Sequence, residues 1–233
     1  MKVLLIDDEE SILELITMHL TLEGFEVEKG SSGYEGVEKF KNFNPDIVIL
    51  DVMLPDIDGF QVINELQKID NQTPIILLTA KEQINDKLLG LQLGADDYIT
   101  KPFDSRELIL RIRTIFRRIN KVKISSEVKE NNEVKENNIV KKGFIKILKD
   151  ERKVFIDSNE IGFTYREFET LLLMVTNEGK VFSREELLKE IWGYEFQGNS
   201  RAVDIHIERI RKKLKTYRKI IKTVYGVGYK LEV

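Results

Sequence analysis

The chain has 233 residues, room for two domains of about 100 residues each, and its 42% hydrophobic and 33% charged content excludes an intrinsically disordered polymer. It contains no cysteine, which excludes disulfides and thiolate-bound zinc and suits a reducing, cytoplasmic compartment. The net charge of −3 hides a split: residues 1–120 carry 13 Lys+Arg against 22 Asp+Glu, a balance of −9, and residues 121–233 carry 24 against 18, a balance of +6. The two halves therefore face different partners.

At the N-terminus, MKVLLIDDEE breaks a short apolar run with four acids, unlike a signal peptide, and no apolar stretch approaches the roughly 18 residues of a membrane span. No membrane partner is expected. Short β-rich runs follow at Val3–Ile6, Phe25–Glu28, Ile47–Leu50, Ile75–Leu78 and Asp97–Thr100, separated by segments of helical period. Alternating strands and helices imply a parallel sheet. The wholly apolar runs Ile47–Leu50 and Ile75–Leu78 suit interior strands covered on both faces. The first helix spans about Ser11 to Leu22 and stops at Gly24. The last helix of this half opens at Asp104 with Glu107 three residues on, a capping-box spacing, and buries a stripe of Leu108, Ile112, Ile115 and Ile119.

The pattern then dissolves. Residues 127–138 read EVKENNEVKENN, a polar hexapeptide repeated once, too poor in apolar surface to offset its ordering entropy, so about 121–141 is expected to be a flexible linker between a domain at 1–120 and another at 142–233. Patterning resumes with strands at Phe144–Leu148 and Lys153–Asp157, helices at about Tyr165–Thr176, Ser183–Ile191 and Ser200–Thr216, and a hairpin at Ile220–Glu232. Ten basic residues against two acids within 201–230 make a polyanion footprint, although a charge run alone is more often a solvated helix.

Function in parallel α/β sheets collects at the carboxyl ends of strands. Those ends here are Asp7-Asp8, Asp51, Thr79 and Lys101-Pro102. Three converging carboxylates repel one another unless a hard, oxygen-seeking cation sits among them, so the cluster predicts Mg²⁺, held by Asp8, Asp51 and the Met53 carbonyl with Asp7 acting through a water. One carboxylate can then attack a phosphoryl group to form an acyl phosphate; mid-sheet Asp51 is the expected nucleophile. Lys101 supplies a point charge for a phosphoryl oxygen and the Thr79 hydroxyl a second donor.

The stretches LLIDDE at 4–9, DVMLPDIDG at 51–59, LLTA at 77–80, LGADDYITKPF at 93–103 and ELILR at 107–111 resemble the receiver domains of bacterial response regulators of the OmpR/PhoB type. In the second half, FTYREFETLLLM at 163–174, VFSREELLKEIWG at 181–193, RAVDIHIERIRKKL at 201–214 and KTVYGVGYKL at 222–231 resemble that family's winged helix. The resemblance covers nearly the whole chain. It implies a flavodoxin-like, doubly wound five-stranded parallel sheet followed by a separate α+β winged-helix domain. It also implies Thr79 and Tyr98 as a switch pair, a cis Lys101–Pro102 bond, and activation dimer pairs of Lys87 with Glu107, Asp97 with Arg111, and Asp96 with Arg118.

On a helical wheel of 200–215, Val203, Ile207, Ile210 and Leu214 form the buried side, and Arg201, Ile205, Glu208, Arg209 and Lys212 face away. Carried over from the resemblance, Arg209 and Ile205 face bases, while Trp192, Arg201, His206, Arg211, Lys212, Thr223 and Tyr229 serve the phosphate backbone. The sequence departs from the family at Tyr225, where the wing usually presents an arginine to the minor groove; weaker or redistributed wing binding is expected.

The resemblance further implies a sensor histidine kinase as phosphodonor, a direct-repeat operator in double-stranded DNA, RNA polymerase as a partner and a homodimer on activation. A two-fold receiver pair and a direct-repeat operator conflict in symmetry. A linker of about 20 residues, spanning about 25 Å, relieves that conflict. Two rival readings share parts of the chemistry. One is a Mg²⁺-dependent aspartyl-phosphate phosphatase, disfavoured because Met53 and not a second acid lies two residues beyond Asp51. The other is a constitutive DNA binder with a relic receiver.

Overall fold

The computed structural model describes residues 1–80, 84–127, 138–193 and 201–233. They form two compact units, residues 1–112 and 113–233.

The first unit alternates β1 (Lys2–Ile6), α1 (Glu10–Leu22), β2 (Glu26–Gly30), α2 (Gly33–Phe43), β3 (Ile47–Asp51), α3 (Gly59–Ile69), β4 (Ile75–Ala80), α4 (Ile84–Leu93), β5 (Asp97–Lys101) and the start of α5 (Ser105–Glu127), which runs past residue 112. The strands are parallel in the order β2-β1-β3-β4-β5, so the direction of winding reverses between β1 and β3. This is the parallel sheet that the sequence pattern predicts in the doubly wound form that the resemblance implies, and its switch point lies beside the strand ends that carry Asp7 and Asp51. Val3 to Ile6 and Ile47 to Leu50 are fully buried, each contributing about 2 kcal/mol of apolar transfer, which is why these two strands fix the frame of the site.

Three boundaries differ from the sequence reading. Strand β2 starts at Glu26 and runs to Gly30, one residue later and longer than the apolar run at Phe25 suggests, because an edge strand is held by its ladder to β1 more than by burial. Helix α5 continues through Glu127, past the expected linker start at 121; extending a helix already nucleated requires no new nucleus. Strand β6 (Ile139–Lys142) occupies the last part of the expected linker, paired antiparallel to β7. The intervening repeat, and the flexibility expected of it, fall on 128–137, outside the described residues.

The second unit contains a four-stranded antiparallel sheet, β6-β7-β8-β9, with β7 (Ile145–Leu148), β8 (Lys153–Ile156) and β9 (Asn159–Ile161). Asp157 and Ser158, between β8 and β9, both have positive φ (48° and 68°), the requirement of a two-residue type I′ hairpin turn. Three helices follow, α6 (Tyr165–Thr176), α7 (Arg184–Trp192) and α8 (Arg201–Lys213), then a second sheet ordered β10-β12-β11 from β10 (Phe182–Ser183), β11 (Ile221–Val224) and β12 (Gly228–Leu231). A helical trio ending in an antiparallel hairpin is the expected winged arrangement. One apolar core joins all of these elements, including Phe168, Leu171, Leu187, Trp192, Val203, Ile207, Ile210 and Leu231.

Candidate functional site

A carboxylate pocket is assembled by the carboxyl edge of the first sheet. Asp7 is wholly buried after β1, Asp51 is nearly so at the end of β3, and Asp8 is exposed; one carboxylate oxygen from each lies within 4.8 Å of the others. Lys101, at the end of β5, bridges them: its Nζ donates to Asp7 Oδ2 at 2.8 Å and to Asp51 Oδ2 at 2.7 Å. It also reaches Glu9 Oε1 at 3.2 Å, an acid that the strand-end reading missed because it lies two residues past the strand-end acid Asp7. The Lys101–Pro102 peptide is cis.

The electrostatics of the pocket are unbalanced. Burial raises the Asp7 carboxyl above its usual value; hydrogen bonds from Lys101 and the Glu9 N–H pull it down, and the charge of Asp51 adds to the rise. For Lys101, burial alone would lower the ammonium, but the hydrogen bonds to Asp51 and Asp7 prevail and hold it above the ordinary lysine range. One ammonium thus serves three clustered carboxylates, and Asp7 still bears an energetic penalty. An all-oxygen donor set with this surplus of negative charge fits a hard divalent cation such as Mg²⁺.

The loop after Asp51 is fastened at three points. Met53 N–H donates to Asp51 Oδ1 at 3.2 Å, while the Met53 side chain is exposed. Asp58 caps α3 by accepting from Gln61 N–H at 2.8 Å, and Asp56 ties the loop to the start of α2 by accepting from Gly33 and Tyr34 N–H, each at 2.8 Å. Gly59 permits the closure: a β-carbon there would lie 2.5 Å from the Asp51 carbonyl oxygen. Thr79 is 1% exposed, and its hydroxyl has no partner among the described residues, an unused donor at the end of β4 beside Asp51 on β3. Tyr98 is half-buried and packs on the core that includes Leu77 and Ala95.

Of the expected dimer pairs, Asp97 and Arg111 meet within one chain, with Nη1 to Oδ2 at 3.0 Å, and Arg111 also holds Glu107 at 2.5 Å. Asp96 is 1% exposed and accepts from Ile75 N–H at 3.0 Å, so this structure does not present it for pairing. The side chains of Lys87 and Arg118 lie outside the described residues.

In the second unit, the wheel reading of α8 holds for the buried stripe: Val203, Ile207, Ile210 and Leu214 are at most 1% exposed. Arg201, Lys212 and Thr223 are exposed, Ile205 is half-buried, and Tyr225 stands at the hairpin tip with 93% of its surface free.

The cation placements need correction. Arg209 does not face outward; its Nε donates to Glu167 Oε1 at 2.6 Å, with its side chain 11% exposed and that of Glu167 0%. Lys213 completes the cluster on Glu167 Oε2 at 2.5 Å, and Thr164 N–H donates to the same oxygen at 2.8 Å. Burial would raise the Glu167 carboxyl, but the Arg209 and Lys213 charges outweigh it and keep it below the usual range. The signal for Glu167 was present in the sequence as the T-x-x-E spacing of a capping box, Thr164 to Glu167.

Arg211 is folded back onto β11, donating to the Ile221 carbonyl at 2.7 Å and Thr223 Oγ1 at 2.9 Å. His206 is fully buried, neither ring nitrogen has a partner among the described residues, and its ring tilts against Trp192 at 5.1 Å. Burial drives its pKa down to about 3, and the Arg209 charge adds to this. A neutral, enclosed imidazole does not reach a phosphate. Trp192 and Tyr229 are likewise core residues, 4% and 5% exposed. The Tyr229 hydroxyl donates to Asp204 Oδ1 at 2.7 Å, and burial followed by that bond pushes its pKa up to about 12.

Residues 3–113 match the response regulator receiver domain family, and residues 158–231 match the family of the C-terminal domain of transcriptional regulatory proteins. The chain is 43% identical to the alkaline phosphatase synthesis transcriptional regulatory protein PhoP of Bacillus subtilis (strain 168), over 99% of this chain and 96% of that one. It is 40% identical to the transcriptional regulatory protein SrrA of Staphylococcus aureus (strain NCTC 8325 / PS 47), over 100% and 95%. Among solved structures, a single-residue mutant of RitR is similar over 99% of this chain and 98% of that chain, with a TM-score of 0.78 at 25% identity.

Proposed function

Since the chain belongs to the OmpR/PhoB-type response regulators, two-component transcriptional regulators that join a receiver to a DNA-binding domain, we propose that Asp51 is its phosphoacceptor and that phosphorylation controls its hold on DNA. The observation that carries this reading is the convergence of the Lys101 ammonium on Asp51 and Asp7 at a sheet edge where a buried Thr79 hydroxyl stands unpartnered among the described residues.

The donor is the phosphohistidine of a sensor kinase. An Asp51 carboxylate oxygen forms the new bond to phosphorus as the phosphorus–nitrogen bond breaks, and the departing imidazole takes a proton from solvent. Asp7, Asp8, Asp51 and the Met53 carbonyl would hold Mg²⁺, which supplies charge neutralisation at the attacking and transferred oxygens. Asp51 then ceases to be a carboxylate partner for Lys101, whose ammonium turns to a phosphoryl oxygen. The Thr79 hydroxyl gains in that oxygen the acceptor it lacks, and Tyr98 follows the space Thr79 vacates. About 1.5 to 2 negative charges are added at this edge.

The output we assign is a homodimer through α4, β5 and α5, DNA domains seated on direct repeats, and contact with RNA polymerase, all in the cytoplasm and without enzymatic turnover. Glu107 and Arg111 lie on the proposed dimer face, with Arg111 already clamped by Asp97. Among the described residues no helix is long and apolar enough to cross a membrane.

The test is exposure of the full chain to acetyl phosphate with Mg²⁺, followed by intact mass, sedimentation and DNA binding. One hydroxylamine-labile phosphoryl adduct, absent from Asp51→Ala and accompanied by dimerisation and tighter DNA binding, is expected. An adduct that persists in Asp51→Ala overturns the assignment.

A further inference from the structure

Helix α8 presents one outward stripe. Residues 201, 205, 208 and 212 are spaced four, three and four apart, so they share a face, and the structure leaves Arg201, Glu208 and Lys212 exposed and Ile205 half-buried. Arg209, the expected base reader, is beside this stripe but committed to Glu167. The centre of the face therefore belongs to Ile205 and Glu208.

An acid in that place works against a polyanion. Each exposed carboxylate on a DNA-facing helix repels phosphates and weakens binding to every sequence alike. The structure also shows that this carboxylate is aimed. Arg211 Nη1 holds Glu208 Oε1 at 2.5 Å, and Arg211 is itself fixed to the Ile221 carbonyl and the Thr223 hydroxyl of β11. The Arg211 side chain is 14% exposed, while half of the Glu208 side chain remains open. The acid is thus braced against the wing strand, not free to swing.

We propose that Glu208 is a specificity-determining residue, reading a base by accepting a hydrogen bond from an exocyclic amino group in the major groove, that of cytosine N4. Carboxylates are the side chains suited to this donor, and opposite any base that offers only acceptors there the same carboxylate is repelled. Glu208 thereby converts a general loss of affinity into discrimination. Arg211 positions it and shields part of its charge from the backbone. The inference rests on the DNA-binding reading of this domain and adds the side chain that selects the base.

The experiment is selection from randomised duplexes by the full chain after acetyl phosphate treatment, comparing wild type with Glu208→Ala and Glu208→Gln. Wild type should enrich cytosine at one position per half-site by roughly 5- to 150-fold over the other bases, the range of a single good base contact. Glu208→Ala should lose that preference and no other, while binding non-selected DNA more tightly. Glu208→Gln, which keeps an acceptor, should retain part of it. Identical selected sequences for wild type and Glu208→Ala overturn the proposal, as does enrichment at that position of any base other than cytosine. Failure of the wild type to enrich any sequence sinks the DNA-binding reading together with this one.

Discussion

Each half of the molecule buries acid against cation, and the two clusters are balanced in opposite ways. At the receiver edge one lysine serves Asp7, Glu9 and Asp51, with Asp8 beside them; in the C-terminal unit one acid, Glu167, is served by both Arg209 and Lys213 and by a backbone N–H. The first arrangement has more negative charge than its lysine can balance and a threonine donor with no acceptor among the described residues, the chemistry that receives a cation and an anionic group together. In the second, both oxygens of the acid are taken. Counting partners at each oxygen thus separates a site suited to ligands from a strut that ties α6 to α8, although both involve buried charge.

The sharpest way to break this comparison is Glu167→Gln. Removing one partner of a buried pair leaves Arg209, 11% exposed, without its counter-charge, at an expected cost of about 3 kcal/mol. The chain's single tryptophan, Trp192, lies in this unit's core, so its fluorescence during urea unfolding reports the loss without interference from the receiver. A cost near zero would mean that Glu167 is not a strut. Because the folded carboxyl lies below its usual value, its stabilisation is complete above the unfolded pKa and disappears as pH falls through the folded one. The gap between wild type and variant should therefore close only in strong acid.

His206 sharpens the same region at milder pH. Its folded pKa of about 3 lies below the ordinary histidine value of 6.5, so the unfolded chain binds the extra proton between them and stability falls as pH drops below 6.5. The slope is up to about 1.4 kcal/mol per pH unit. Arg166, Glu167, Arg209 and Lys213 surround it, and the charges of Arg209 and Lys213 hold the Glu167 carboxyl below its usual range. Between pH 6.5 and 5, Trp192-monitored unfolding of His206→Phe should be much flatter than that of wild type, whatever constant offset repacking adds. Parallel slopes would remove His206 as the cause.

The receiver should respond with the opposite sign. Asp7 is raised in the folded state, so its penalty is absent below the unfolded pKa, grows as pH rises through the folded one and then stays constant. In magnesium-free buffer at neutral pH, Asp7→Asn should slow hydrogen exchange in β1 and β3, by less free energy than Glu167→Gln costs. The gain should vanish in acid. A neutral-pH loss of protection would show that Asp7 is a net stabiliser.

The strand-end rule made the receiver pocket legible because parallel strands deliver side chains to a known edge: Asp7, Asp8, Asp51, Thr79 and Lys101 all arrive there. Elements with little apolar signal were harder to find. Strand β6 has only Val140 packed on the core, and a paired edge strand needs no apolar run to persist. In α8 a helical wheel identified the buried stripe, which depends on Cα directions, but not where long cations end. Arg209 and Arg211 leave the outer half of the helix and bend back to Glu167 and β11, and no periodicity encodes that.

That infolding also limits the cation surplus that DNA can meet. Arg209 and Arg211 are at most 14% exposed, so the excess of basic residues at 201–230 overstates the outward field. The hairpin tip is where one more cation would act without disturbing either cluster. Tyr225 is 93% exposed, beside Gly226 at φ 74°, and no core residue depends on it. Tyr225→Arg should leave Trp192-monitored stability unchanged and tighten DNA binding several-fold at low salt. The logarithmic salt slope should steepen by about one, the signature of one additional phosphate or minor-groove contact. Tighter binding with an unchanged slope would mean that the arginine packs rather than pairs, and unchanged binding at every salt concentration would mean that the wing tip does not approach DNA.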